Sequence, residues 1–179
     1  VKKTKIVIVG YRASGKSTLG GILSARLGWP LLDIDRGIEQ RAGCANLAEY
    51  YLQVGEEGYR PLETEIVMEM CSRQQCVISF GAGTLQTPAN RDPACRDAFV
   101  VYLRATAQEL WRRMEADPNS ATTRPNLAGG GLAEVIEKLG ERAPVYEQCA
   151  DLIVDATQPS EVLADQIVQA FASPSTTAG

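Results

Sequence analysis

The chain has 179 residues, 45% of them hydrophobic and 22% charged, which fits one globular domain and excludes disordered and collagen-like chains. Eighteen basic against 22 acidic residues leave a net charge of −4, so no global positive field recruits nucleic acid or an anionic membrane, and any anionic ligand has to be held by a local cluster. Histidine is absent, which removes Ser-His-Asp and Cys-His catalysis and histidine-bound zinc.

Lys2, Lys3 and Lys5 precede the apolar stretch Ile6 to Val9. Four apolar residues are too few for the ~7 to 15 of a secretory signal core, so the stretch reads as a first strand, Lys5 to Val9, and a cytoplasmic location is expected. No apolar run approaches the ~20 residues that cross a bilayer. Ser17 to Leu27 places Leu19, Ile22, Leu23 and Leu27 at helical spacing, closed by Gly28. Pro30 to Asp33 reads as a short buried strand, followed by a helix through Ala42 with Asp35 as its N-cap. Asn46-x-x-Glu49 is a capping-box pattern, and the helix it opens resumes from Glu56 to Ser72 beyond a break at Gly55.

Cys76 to Phe80 reads as a third strand running into Gly81-Ala82-Gly83, Ala98 to Leu103 as a fourth and Leu152 to Asp155 as a fifth. Helices are expected over Thr106 to Ala116, Gly131 to Cys149, and onward from Pro159 as a first helical residue. Residues 117–131 carry two prolines and three consecutive glycines without periodicity and read as a lid. Residues 173–179 are small and polar, a flexible tail after a single domain spanning 1–172. Strands alternating with helices predict an α/β fold, a three-layer α/β/α arrangement with a central five-stranded parallel sheet. The five cysteines are odd in number and contain no C-x-x-C pair, so they form neither a disulfide framework nor a zinc knuckle and are expected to be reduced, mostly buried or inert.

Gly10-Tyr-Arg-Ala-Ser-Gly15-Lys16-Ser17 satisfies G-x-x-x-x-G-K-[ST] between the first strand and first helix, the context the pattern requires. Its glycines let the backbone turn N–H groups inward around a phosphate, and the helix N-terminus reinforces them. Ala13, Ser14, Gly15, Lys16, Ser17 and Thr18 are therefore the expected phosphate-binding residues. Lys16 supplies a point charge at the transferred phosphate, and the Ser17 hydroxyl is placed to ligate Mg²⁺. No N-K-x-D, T-K-x-D or D-x-x-G motif points to a guanine-nucleotide switch.

Further along the chain lie Asp33-Ile-Asp35, Tyr59-Arg60-x-x-Glu63, Gly81-Ala82-Gly83, Arg124-Pro125 and Arg142-Ala-Pro-x-Tyr146. Their order and spacing, together with the phosphate loop, resemble shikimate kinase, of the P-loop kinase type, from about Ile6 to Pro159. The resemblance implies ATP-dependent phosphorylation of the 3-hydroxyl of shikimate, a step of chorismate and aromatic amino acid biosynthesis, so that the phosphates bound by Ala13 to Thr18 are those of ATP. It implies that Asp35 meets that hydroxyl as base and that Asp33 orients the Mg²⁺ hydration shell. A monomer is expected. No acidic residue ends the third strand at Ser79-Phe80, where a second-motif aspartate would stand.

The resemblance further implies that Arg60 and Arg142 grip the substrate carboxylate, a task for which the planar guanidinium fork is suited. Gly81, Ala82 and Gly83 match a glycine triplet that approaches the substrate. Ala82 departs from it, and a negative φ is expected there because a positive one would strain its methyl. Arg124 matches a lid arginine acting on the ATP phosphates, with Asn126 standing where the family often has leucine. Arg113 and Pro159 match the pair flanking adenine, with Arg112 taking the stacking place if the register shifts by one. Two rivals remain at this point: a related kinase for another small acid such as gluconate, and a nucleotide-binding module without catalysis.

Overall fold

The computed structural model describes residues 2–117 and 130–173. All but the ends of the expected lid, with Arg124, Pro125 and Asn126, lies outside the described residues, as does the tail beyond Ser173.

Five strands form one parallel sheet: β1 (Lys5–Val9), β2 (Leu31–Asp33), β3 (Val77–Ser79), β4 (Ala98–Arg104) and β5 (Leu152–Asp155), in the order β2-β3-β1-β4-β5. β1 is central, and every residue of it is buried. Successive side chains of a strand point to opposite faces, so Val7 and Val9 enter one hydrophobic cluster and Ile6 and Ile8 the other. That is why Ile6 to Val9 is apolar throughout rather than alternating.

The helices are α1 (Lys16–Leu27), α2 (Ile34–Ala42), α3 (Leu47–Cys71), α4 (Arg91–Cys95), α5 (Ala107–Ala116), α6 (Leu132–Cys149) and α7 (Ser160–Ala172). α1 and α7 cover one face of the sheet through Leu19, Leu23, Leu163 and Ile167. α2, α3 and α6 cover the other through Ile34, Ile38, Ile66, Val67 and Tyr146. Each fully buried branched side chain in these layers contributes ~1.5 to 3 kcal/mol relative to exposure. The expected three-layer α/β/α architecture is therefore present.

Local differences have local causes. β2 was expected to be buried, yet Leu31 is 36% exposed, because β2 is an edge strand with β3 as its neighbour. The N-cap of α2 is Asp33 rather than Asp35. Asp33 has extended backbone and its Oδ1 accepts from Arg36 N–H at 3.1 Å, which places Asp35 inside the first turn. Pro159 is the N-cap of α7 rather than its first helical residue, with ψ 136. Asn46 caps α3 by accepting from Ala48 N–H at 2.9 Å and Glu49 N–H at 3.4 Å, and Gly55 interrupts that helix at φ 67 as expected.

The segment between Gly83 and Ala98, which carries no sequence periodicity, folds as two 3₁₀ turns, Thr84–Gln86 and Pro88–Asn90, followed by α4. Asn90 is fully buried and donates to the Thr84 carbonyl at 2.9 Å, while Arg91 Nε donates to the Leu85 carbonyl at 2.9 Å. These bonds hold the chain just after the Gly81–Gly83 turn. Because the strands run parallel, and Ile8, Asp33 and Ser79 lie in register at their C-terminal ends, the loops that follow gather at one edge of the sheet, where α/β proteins bind ligands.

Candidate active site

The loop from β1 to α1 forms a cradle at this edge. Ala13 and Gly15 have φ of 63 and 97, left-handed conformations that aim backbone N–H groups into a concavity. Gly10 is required sterically, since a side-chain carbon there would lie 2.9 Å from both the Leu103 carbonyl and Ser14 Oγ. Ser14 Oγ is buried without a hydrogen-bond partner, a costly condition unless a ligand supplies one. Lys16 Nζ donates to the Gly10 and Tyr11 carbonyls at 2.9 and 2.8 Å, so its ammonium sits over the same loop. Ser17 and Thr18 follow in the first turn of α1.

Arg113 reaches this loop from α5, with Nη1 at 3.3 Å from the Ala13 carbonyl and 3.4 Å from the Ser14 carbonyl, and Nη2 at 2.6 Å from the Ala156 carbonyl. Arg112 points elsewhere, exposed and paired with Glu109 at 2.7 Å. Of the two candidate arginines, Arg113 is thus the one beside the cradle. Glu109 also binds Arg113 Nε at 2.7 Å. Hydrogen bonds from Arg112 and then Arg113 hold its carboxyl well below the usual range, at about 2. Pro159, the N-cap of α7, lies three residues beyond Ala156.

The second half of the site is assembled from distant segments. A carbon built on Gly83 would lie 3.5 Å from Nη1 and Nη2 of Arg60 and 3.8 Å from Nη2 of Arg142. One built on Gly81 would lie 2.6 Å from Asp35 Oδ1. The two guanidiniums therefore meet over Gly83, and the Asp35 carboxylate stands over Gly81. Asp35, Arg60, Gly81, Ala82, Gly83 and Arg142 line one cavity, so every substrate-binding residue expected from the sequence is brought together. Ala82 is absent from the residues with positive φ and is buried, so its methyl is accommodated without backbone strain.

Sequence reasoning did not assign roles to the groups that hold this half in place. Glu63 is 2% exposed. Its Oε2 accepts from Arg60 Nη1 at 2.8 Å and its Oε1 from Thr84 Oγ1 at 2.9 Å, so one buried carboxylate ties α3 to the turn after Gly83. Burial works against the Arg60 charge, but Glu63 and Glu56 outweigh it and the guanidinium is held more firmly protonated than usual. Burial, reinforced by Glu63, pushes the Tyr59 phenol up, and its ring lies 5.7 Å from the Arg60 guanidinium carbon. Tyr11, in the phosphate loop, lies under Arg142 at 5.3 Å.

Tyr146, one turn after Arg142 on α6, donates its hydroxyl to the Ala82 carbonyl while its ring contacts Tyr102 at 5.0 Å. Arg12 adds a third guanidinium to the cavity lining. The signal for Glu63 and Tyr146 was present in the quoted motifs, at i+3 from Arg60 and i+4 from Arg142, which are same-face spacings on a helix.

A family model for shikimate kinase matches residues 12–172. The chain belongs to the shikimate kinase family. It is 35% identical over 170 residues to the shikimate kinase of Oleidesulfovibrio alaskensis, covering 94% of this chain and 98% of that one. It is 40% identical over 157 residues to that of a Synechococcus strain, covering 86% of this chain and 76% of the relative. The solved shikimate kinase from Acinetobacter baumannii in complex with shikimate superposes with a TM-score of 0.87 at 28% identity, covering 97% of this chain and 96% of that one. Kinases of the shikimate family are ATP-using phosphotransferases, and the P-loop kinase fold expected from the motifs is the fold present. No helix among the described residues is long and apolar enough to cross a membrane.

Proposed function

We propose that the chain transfers the γ-phosphoryl group of ATP to the 3-hydroxyl of shikimate, acting as a single cytoplasmic kinase domain and as a monomer. The observation that carries the reading is the convergence of Arg60 and Arg142 over Gly83, with Asp35 over Gly81. That spacing suits a ring bearing a carboxylate at one end and a hydroxyl at the other. Two guanidiniums match carboxylate oxygens with charge-assisted hydrogen bonds worth ~1.5 to 3 kcal/mol each.

In this reading the P-loop N–H groups from Ala13 to Thr18 and the Lys16 ammonium hold the ATP phosphates, with Arg113 and Pro159 beside the adenine. Asp35 accepts the proton of the attacking hydroxyl as its oxygen bonds to phosphorus, and the bond to the β,γ-bridging oxygen breaks to release ADP. Arg124, assigned by its motif, neutralises charge on the transferring group. Little covalent help is needed, so positioning and electrostatics supply most of the acceleration.

The donor set also fits Mg²⁺. Among the described residues no group of three acidic, cysteine or histidine side chains could cage a metal, but Mg²⁺ commonly keeps several waters and takes its other ligands from phosphates. The Ser17 hydroxyl would be its direct protein ligand. Asp33, paired in register with Ser79, would hold its water shell, with Oδ1 engaged by the α2 cap. The bound ion would neutralise phosphate charge.

A coupled ADP-release assay tests the reading with shikimate, quinate and gluconate as acceptors. Shikimate-dependent turnover is expected. Preferential turnover of gluconate, or ATP binding with no acceptor-stimulated ADP release, would contradict it.

A further inference from the structure

Five cysteines, all free, play no part in the proposed transfer, and the spacing of the sequence leaves them unpaired. In space two of them meet. Cys95 is the last residue of α4 and Cys149 the last residue of α6. They are 54 positions apart, and Cys95 Sγ lies 4.0 Å from the Cys149 carbonyl oxygen. Both are partly accessible, whereas Cys71 and Cys76 are buried and Cys44 sits in a different part of the fold, beyond the end of α2.

The surroundings differentiate the two thiols. The contact with Cys95 together with the Arg91 guanidinium outweighs burial and lowers Cys149 to about 7. The same contact, burial and the charge of Asp151 push Cys95 upward, against the weaker opposing effect of Lys3. Burial likewise raises Cys71, to about 12, and Cys76, despite the nearby Lys5. Thiolate, not thiol, is the nucleophile.

We propose that Cys95 and Cys149 form a paired-thiol modification site that low-molecular-weight disulfides oxidise to an intramolecular bridge, with Cys149 attacking and Cys95 resolving. The Cys149 thiolate attacks one sulfur of the external disulfide, forming a mixed disulfide and releasing one thiolate. Cys95 then loses its proton to that thiolate or to solvent and displaces the second small thiolate from Cys149. Two protein thiols are oxidised by two electrons and one small disulfide is reduced to two thiols. The bridge ties α4, which follows the Gly81–Gly83 turn, to the end of the helix that carries Arg142 and Tyr146.

The test is incubation of the full chain with oxidised glutathione at neutral pH, followed by non-reducing peptide mapping. A bridge between Cys95 and Cys149 is expected as the main product, reversed by dithiothreitol, with the oxidised form melting several degrees higher because a long loop is closed. Cys95→Ser should instead accumulate stable glutathione on Cys149. Cys149→Ser should leave Cys95 slower to react than Cys149 is in the unsubstituted protein, because burial and the Asp151 charge still disfavour its thiolate. Stable glutathione on Cys149 of the unsubstituted protein, or faster modification of Cys44, would overturn the proposal, and neither result depends on the variants folding.

Discussion

The two ends of the cleft are built on opposite plans. The phosphate end comes from eight consecutive residues, Gly10 to Ser17, shaped by backbone conformation and a helix start. The acid end draws on α2, α3, the turn after β3 and α6, and is shaped by side chains held through Glu63 and Tyr146. A contiguous cradle can bind phosphate in any fold that supplies one strand and one helix. An assembled pocket exists only when the elements that carry it are packed together, so in the proposed reading it is the part that defines the acceptor.

This contrast can be broken from either side. The largest effect is expected at Lys16, whose ammonium lies at the loop, where the proposed transfer develops charge. Lys16→Ala should lower kcat by about 10³-fold or more in the coupled assay, while shikimate binding measured by calorimetry changes little. Next is Arg142→Ala, which removes one side of the proposed carboxylate grip. Loss of one or two charge-assisted hydrogen bonds should raise KM for shikimate by about 10- to 100-fold and leave KM for ATP within a factor of about two to three. An equal rise in both would show that the two ends are not separable.

Tyr146→Phe sharpens the comparison, because Tyr146 touches the Ala82 carbonyl rather than lying with Arg60 and Arg142 at Gly83. The variant should lose ~1 to 3 kcal/mol of stability, read by denaturant unfolding, from the unsatisfied buried carbonyl, with a rise of a few fold in KM for shikimate. The smallest effect is expected for Ala82→Gly. Because Ala82 does not occupy a positive φ, removing its methyl should change KM for shikimate by less than about twofold, and a large gain in affinity would show that the methyl crowds the substrate.

Legibility from sequence followed the same division. The phosphate loop is local, so its residues, its strand-to-helix context and its electrostatics could all be read directly. β1, β3 and β4 were legible because Ile6 to Val9, Cys76 to Ile78 and Ala98 to Leu103 lie between two layers and are continuously apolar. β2 reads as buried although it lies at the sheet edge, since three residues carry no sign of which strand has only one neighbour. Asp33 displaced Asp35 as the cap of α2 because Asp33 retains extended backbone, a choice that two neighbouring aspartates leave undecided. The meeting of Arg60 with Arg142, 82 positions apart in the sequence, was reached by resemblance alone, as no periodicity encodes a tertiary contact. Thr84, Asn90 and Arg91, which fasten the turn after β3, lie in a stretch whose short 3₁₀ turns leave no repeating pattern.

The central claim is that the Arg60 and Arg142 guanidiniums bind one carboxylate of the acceptor. A cycle that pairs Arg142→Ala with the neutral carboxamide of shikimate tests it most directly, because coupled partners give non-additive losses. Replacing the carboxylate should cost the unsubstituted enzyme at least about tenfold in kcat/KM and cost the Arg142→Ala enzyme markedly less. An equal penalty in both enzymes would contradict the claim.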